Sequence, residues 1–431
     1  MTSFTAESVL PESKRSFKHR DVFLRERRQP VESSHLTPKF LFLVNILIRL
    51  WSVNEVVRAT TGRATIERVE STIRQALAGG TMPGATLAIG EGSTDAFYMG
   101  AFGWAAVHPH RRPMVGSTLF DIASLTKVLA TVLLVMKHTE RGQLDIDTPL
   151  GEILPSYYPP DKSRLTIRQL LTHTAGLPAE VRLREQLAPE PQGSRLDKTR
   201  DSVMKRMLAS APEYEPGTDV RYSDQGPILV GDLLEKLSGE SLDRLCEREL
   251  YSVSGLADTF FVHLDHPLPK ARRPPESFAA TEDCPWRERV VVGQVHDENA
   301  YLLRGVAGHA GLFSNAEDLS VLARMLLNPD TAGGYLRADT VRHFTQSQLN
   351  LPGARAVGWM KPVEGGPFGD FSSPAAFGHT GFTGTSIWID PDKDLYVILL
   401  TNRVHPSRQN TELLRFRPQL HNTIVKALGK A

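Results

Sequence analysis

The stretch FDIASLTKVLATVLLVMKHTERGQLDIDTPL, Phe120 to Leu150, constrains the chain more than any other. Its apolar run after Lys127 is built to be buried as a helix, yet a lysine opens it and Ser124 stands three residues earlier. On a helix, residues i and i+3 share one face, with Cβ atoms roughly 5–6 Å apart. A hydroxyl in the first turn therefore points the same way as the amine. Flanked by Val128, Leu129 and Ala130, that amine is partly desolvated, and burial lowers its pKa from the ordinary value of about 10.4. A neutral lysine can take a proton from a serine hydroxyl, which alone is a poor nucleophile. The helix N-terminus adds positive partial charge and a backbone N–H near the reacting oxygen.

Spacing alone does not decide the matter. A second pair, Ser202 and Lys205 in DSVMKR, opens an amphipathic helix among charged neighbours, where the serine reads as a cap. Partners elsewhere in the chain have to separate the two.

Composition removes several classes of function. The 431 residues are 41% apolar and 23% charged, enough for a sizeable core in one or two domains. A formal net charge of +1 gives no global field for nucleic acid or an acidic polymer. Cys246 and Cys284 can build neither a disulfide framework nor, unaided, a thiolate metal site. No Gly-x-Ser-x-Gly occurs, which excludes an alpha/beta-hydrolase.

Residues 1–60 differ from the rest. SKRSFKHRDVFLRERRQ is strongly basic, and FLFLVNILIRLW, Phe40 to Trp51, is apolar but broken by Asn45 and Arg49. It falls well short of the ~20 residues a spanning helix needs. An amphipathic membrane-surface anchor, an unusually long export signal, or a disordered leader ending in a helix that packs on the body all fit, the last best. A misassigned start would explain the same oddity. Localisation stays open between cytoplasmic and exported or membrane-associated.

From about Ala64 the pattern is regular. TIERVESTIRQALAGG reads as a helix stopped by Gly79-Gly80, and PGATLAIG with DAFYMGAFGWA as a hairpin. Helices and loops fill the middle, including LTIRQLLTHTAGLP and GPILVGDLLEKLSGESLDRLCERELY. Val262 to Tyr301 reads as a long Pro- and charge-rich loop, and Ser314 and Glu317 stand at capping-box spacing before another helix. GTSIWIDPDKDLYVILLTNR is a second hairpin around an Asp-Pro-Asp-Lys-Asp turn, and a last helix closes the chain. The expectation is an α+β fold over residues 61–431. An antiparallel sheet comes from the N- and C-terminal segments, is flanked by helices, and carries a mainly helical insertion over about 140–290.

Two candidate partners for Ser124 follow in the sequence. Tyr222-Ser223-Asp224 lies between a Pro-Gly turn and an apolar helix, and a phenol beside cations can serve as base or proton shuttle. His379-Thr380-Gly381 enters a strand, where small residues admit a substrate and the N–H of Phe382 could complete an oxyanion hole with that of Ser124.

Ser124-x-x-Lys127, Tyr222-x-Asp224 and His379-Thr380-Gly381, in this order, resemble the motifs of the serine beta-lactamase and penicillin-binding-protein superfamily. The match is narrower to the class C beta-lactamase-related branch of esterases, D-amino-acid peptidases and acyltransferases, and runs from about Ala64 to the C-terminus. The resemblance implies a beta-lactamase/transpeptidase-like fold. It makes Ser124 the acylated nucleophile, Lys127 its activating base, and Tyr222 the group that shares proton transfers and protonates the leaving group. Asp224, Thr380 and Gly381 support the substrate.

Histidine at 379, where the family often has lysine, points to the esterase- or peptidase-like branches. Asp224 stands where asparagine is usual. Its carboxylate favours a charged Lys127, so either Lys127 or Tyr222 can be the acylation base. The implied activity is a serine hydrolase acting through an acyl-enzyme on a small ester, amide or peptide. Beta-lactamase or D-Ala-D-Ala carboxypeptidase action is the alternative, and a non-catalytic penicillin-recognising binding protein the rival from another class. No cofactor is implied. His296, Asp297, Glu298 and His309 offer metal-ligand atoms without a recognised spacing, so no metal is expected.

Overall fold

Six strands form one antiparallel sheet: β1 (Gly84–Glu91), β2 (Tyr98–Ala106), β3 (Arg112–Pro113), β4 (Phe377–Thr380), β5 (Ser386–Asp390) and β6 (Leu395–Thr401). Their spatial order is β3-β2-β1-β6-β5-β4, so strands from opposite ends of the sequence meet at the centre. There Leu87 faces Leu399 and Ile89 faces Val397, while at the edge Ile387 pairs with His379. This computed structural model describes residues 62–179, 197–265, 273–330, 334–348, 353 and 355–431. The extension assigned to residues 1–60 lies outside them.

Alternation along the central strands gives the sheet two apolar faces. Leu87, Ile89, Val397 and Leu399 cluster with Val69 and Ile73 of helix α1 (62–78). The same cluster takes Leu413, Phe416, Leu420 and Ile424 from a C-terminal helix, Leu413–Ala427. The intervening residues Ala88, Tyr396, Ile398 and Leu400 belong to the larger core on the other face. That core contains the opening apolar run, which is π-helical over Lys127–Val132 and continues as helix α2 (Leu133–Glu140). Every residue from Lys127 to Met136 is buried. Gly142, at φ 68°, then ends the helix as its sequence suggests.

Between β3 and β4 the chain is mostly helical: Ile167–Leu171, Asp197–Ala209, helix α3 (Gln225–Ser238) and helix α4 (Ala316–Leu327) are its main pieces. Three sequence expectations need correction here. Ser202 lies inside the helix Asp197–Ala209 rather than at its cap. Ser314 ends a strand, and Asn315 caps α4 instead: its extended backbone lets its side chain accept the N–H of Asp318 at 2.9 Å. The Val262–Tyr301 segment is more than a loop, since it holds the pairing of Asp283–Cys284 with Arg289–Val290 and the helix Glu298–Leu302.

A small sheet joins Phe120–Asp121, Leu312–Ser314 and Phe260–Phe261. Strands of two or three residues carry no readable period, yet this sheet fixes the turn that leads into Ser124. Both cysteines are buried and free. Among the described residues, no helix is long and apolar enough to cross a membrane.

Ile398 is fully buried between sheet and helices, whereas Leu237 on α3 is 47% exposed. Ile398→Ala is expected to cost about 2–5 kcal/mol, with Leu237→Ala within about 0.5 kcal/mol of the parent. Urea midpoints measured on both variants check this contrast.

Candidate active site

Ser124 follows a strained turn. Ala123 has φ 47°, unusual for a residue with a Cβ, and Asp121 pins it by accepting the Ala123 N–H at 2.9 Å. The other Asp121 oxygen accepts the His296 N–H at 2.6 Å, so the turn is tied to a distant segment. Thr126 continues the lock, donating to the Ala123 carbonyl at 2.6 Å and accepting the Leu312 N–H at 3.1 Å.

Lys127 is 1% exposed and lies directly behind the serine. Its Nζ donates to Ser124 Oγ at 2.8 Å and to the His309 carbonyl at 3.2 Å. Asp224 Oδ1 lies 2.8 Å from the same nitrogen, a close ion pair rather than a well-aligned hydrogen bond. Burial pulls the Lys127 pKa down, but the Asp224 carboxylate and Tyr222 outweigh it and raise the value above normal. The expectation from burial alone, a neutral amine, is therefore overturned. Lys127 is an ammonium.

Tyr222 arrives just before α3 and is held from several sides. Its ring lies 4.5 Å from that of His173 and 6.2 Å from that of His379. The next residue fastens it: the Ser223 N–H donates to His173 Nδ1 at 3.2 Å, and Ser223 Oγ donates to the Pro178 carbonyl at 2.6 Å. Two cations flank the phenol ring, Lys127 and Arg355, each 5.1 Å from its centroid.

His379 is buried at the end of β4. Burial, with Arg355 and Lys127 nearby, pushes its pKa far below the usual range, so the ring is neutral. Its Nδ1 is 2.8 Å from the Thr380 carbonyl and must carry the proton that it donates there. Nε2 is then an acceptor, and no described residue uses it. Burial depresses His173 in the same way, which suits its Nδ1 as an acceptor.

Gly381 has a role that sequence alone attributes to substrate access. A Cβ there would come within 2.2 Å of Thr385 Oγ1 and 2.5 Å of the Ile122 carbonyl. Glycine thus lets the loop after β4 press onto the turn before Ser124, and Thr383 and Thr385 fasten it by donating to the carbonyls of Asp121 and Ile122. Among the described residues, no acceptor takes the N–H of Ser124 or of Phe382.

These parts surround a cavity of about 650 Å³. Ser124, Tyr222, Asp224, His379, Thr380, Gly381 and Phe382 all line it, so the structure brings the sequence candidates together around the buried Lys127. Sequence reasoning missed His173, although it lies in the THTAG stretch, and missed Arg355, Arg403, Arg408 and Arg417, which no motif marks. Asp224, Asp297 and His309 each place one ligand atom within 4.8 Å of the others. The Lys127 ammonium already supplies positive charge to that cluster, and His309 Nε2 is 2.8 Å from Asp297. Burial would raise the Asp297 carboxyl, but His309, the Ala300 N–H and Lys127 together outweigh it and hold it below the usual range.

A double-mutant cycle of Lys127→Met and Asp224→Asn is expected to give a coupling of about 1–3 kcal/mol at pH 7 in urea unfolding. Because the folded pKa of Lys127 is raised, this stability is present at neutral pH. On the alkaline side it fades as pH rises through the folded value, above the ordinary 10.5. A coupling near zero at pH 7 contradicts the ion pair.

Comparison with known proteins identifies the family. The profile of the beta-lactamase family matches residues 69–420. An N-acetylmuramyl-L-alanine amidase of Bacillus subtilis (strain 168) is 31% identical over 414 residues, covering 85% of this chain and 91% of the amidase. A putative D-alanyl-D-alanine carboxypeptidase of Escherichia coli (strain K12) is 34% identical over 318 residues, 67% of this chain and 70% of that one. Among solved structures, EstCE1, a hydrolase with promiscuous acyltransferase activity, superposes with a TM-score of 0.63 at 23% identity, over 84% of this chain and 98% of its own. The chain belongs to the beta-lactamase family.

Proposed function

We propose that the cavity hydrolyses a small amide or ester through an acyl-enzyme on Ser124. The observation that carries this reading is the 2.8 Å contact between Ser124 Oγ and a buried ammonium, in a cavity that also holds Tyr222 and His379. An ammonium cannot take the serine proton. Lys127 instead stabilises negative charge on Oγ as it develops, and Asp224 keeps it charged.

Tyr222 is then the group that relays the proton, its oxygen taking the serine proton as its own hydroxyl proton passes to the leaving atom. Its ring is fixed by His173 and lies 5.1 Å from each of the two cations beside it. Ser124 attacks the substrate carbonyl, and the C=O oxygen becomes an oxyanion. The free N–H groups of Ser124 and Phe382 are suited to hold it. Collapse expels the amine or alcohol, protonated through Tyr222, and leaves an ester on Ser124. Water attacks that ester and returns the serine. Neutral His379 contributes an acceptor at Nε2 without adding charge.

The amidase and carboxypeptidase relatives favour an amide bond to an amino acid as the natural target. Purified parent, Ser124→Ala and Tyr222→Phe proteins should be assayed with p-nitrophenyl acetate, nitrocefin and N-acetylmuramoyl-L-alanine. Ser124→Ala is expected to lose about 10³-fold or more in kcat/KM, and Tyr222→Phe about 10²–10⁴-fold. Intact mass should show an acyl adduct in the parent alone. Equal turnover by parent and Ser124→Ala removes Ser124 from the mechanism.

A further inference from the structure

Asp297 and His309 stand out in the sequence only as residues with metal-ligand atoms, and the steps on Ser124 and Tyr222 use neither. The fold makes a pair of them. His309 is 1% exposed, and its Nε2 lies 2.8 Å from Asp297 Oδ1. An ionised carboxylate has no proton to give, so this nitrogen carries the hydrogen and donates. The Ala300 N–H donates to the same oxygen at 2.7 Å and caps the short helix Glu298–Leu302. Oδ2, by contrast, takes no hydrogen bond from any described residue. The side chain is 30% exposed and lines the cavity with Ser124, Tyr222 and Asp224.

A cap needs one oxygen, and asparagine or serine serves as well as aspartate. Capping therefore explains neither the buried histidine that fixes the carboxylate nor the second oxygen left available to the cavity. The position of the pair relative to the nucleophile supplies a reason. The His309 carbonyl accepts from Lys127 Nζ at 3.2 Å, and the same Nζ donates to Ser124 Oγ at 2.8 Å. His309 thus holds the ammonium with its backbone and the carboxylate with its ring. Asp297 is tied to Ser124 through three successive contacts. The titratable and charged groups around it are Lys127, His309, Asp121 and Asp224. Their balance, with the Ala300 N–H, leaves the carboxyl below its usual range and so ionised at neutral pH.

We propose that Asp297 is the general base of deacylation: its Oδ2 takes a proton from the water that attacks the acyl group on Ser124. The proposal rests on the Ser124 hydrolase reading and assigns the base of its second half-reaction. Lys127 is an ammonium and cannot take that proton, and Asp224 is paired with it at 2.8 Å. The water oxygen bonds to the acyl carbon, and the C=O electron pair moves onto the oxyanion. The C=O bond then re-forms, the C–Oγ bond breaks, and Tyr222 gives Oγ its hydroxyl proton. The proton held by Asp297 returns to the phenol oxygen through water. His309 is a positioning residue that keeps Oδ2 turned away from itself.

Stopped-flow kinetics with p-nitrophenyl acetate separate the half-reactions, since acylation releases p-nitrophenolate as a burst and deacylation sets the steady rate. In Asp297→Asn the burst rate is expected within about threefold of the parent, while deacylation slows about 10²–10⁴-fold. Intact mass should show an acetyl adduct that outlasts the parent's. Hydroxylamine, which attacks an ester without a base, should release it faster than water does. A carboxylate with a merely structural role lowers both rates together. That result, an unchanged deacylation rate, or an adduct indifferent to hydroxylamine overturns the assignment. Where Asp297→Asn does not fold, as judged by circular dichroism, Asp297→Ser keeps a cap acceptor and is read in the same way. The pH profile of the parent decides if neither folds: deacylation flat from pH 8 down to about 5 supports an Asp297 base, and a loss with an apparent pKa of about 6 or above overturns it. A parent with no burst that Ser124→Ala removes fails the hydrolase reading itself, a result distinct from any of these.

Discussion

The ion pair between Lys127 and Asp224 joins the head of the buried helix to the start of α3, and the cavity is arranged around it. An amine with 1% exposure needs a counter-charge, and Asp224 lies 2.8 Å away. Once the amine is an ammonium, the roles around it sort themselves. Lys127 donates to Ser124 instead of accepting from it, and in the proposed mechanism proton exchange passes to Tyr222. The backbone cooperates, since the strained Ala123 turn and the π-helical segment place hydroxyl and amine side by side.

A second regularity is the sign of the charge. His173 and His379 are neutral, because burial and the cations nearby both oppose their protonation. Cationic side chains line the cavity: Arg355 beside Tyr222, Arg403 and Arg408 beside Phe382, and Arg417. A cavity of this kind favours anionic groups and the negative charge that develops when a serine attacks a carbonyl. The net charge of +1 for the whole chain hides this local field.

Much of the fold was legible because apolar periodicity is local. The hairpins β1–β2 and β5–β6, and the helix that ends at Gly142, follow directly from spacing and turn residues. The serine, tyrosine and histidine motifs were legible as candidates, and the fold brings them to one cavity. What sequence could not supply is the outcome of competing forces at a point in space. Burial and the Asp224 carboxylate push the Lys127 pKa in opposite directions, and only a distance of 2.8 Å decides between them. The cap of α4 turned on one residue's backbone, Asn315 in place of Ser314. The arginines belong to no motif; they converge only through tertiary folding.

The charge on Lys127 is the point on which the mechanism turns, and it can be observed directly. Nitrogen-15 NMR of labelled lysine side chains, with the Lys127 resonance assigned by Lys127→Met, should show Nζ still protonated as pH rises past 9. In Asp224→Asn protein the same resonance should titrate at lower pH. A Lys127 Nζ that is already neutral at pH 8 in the parent contradicts the account and returns the role of base to the lysine.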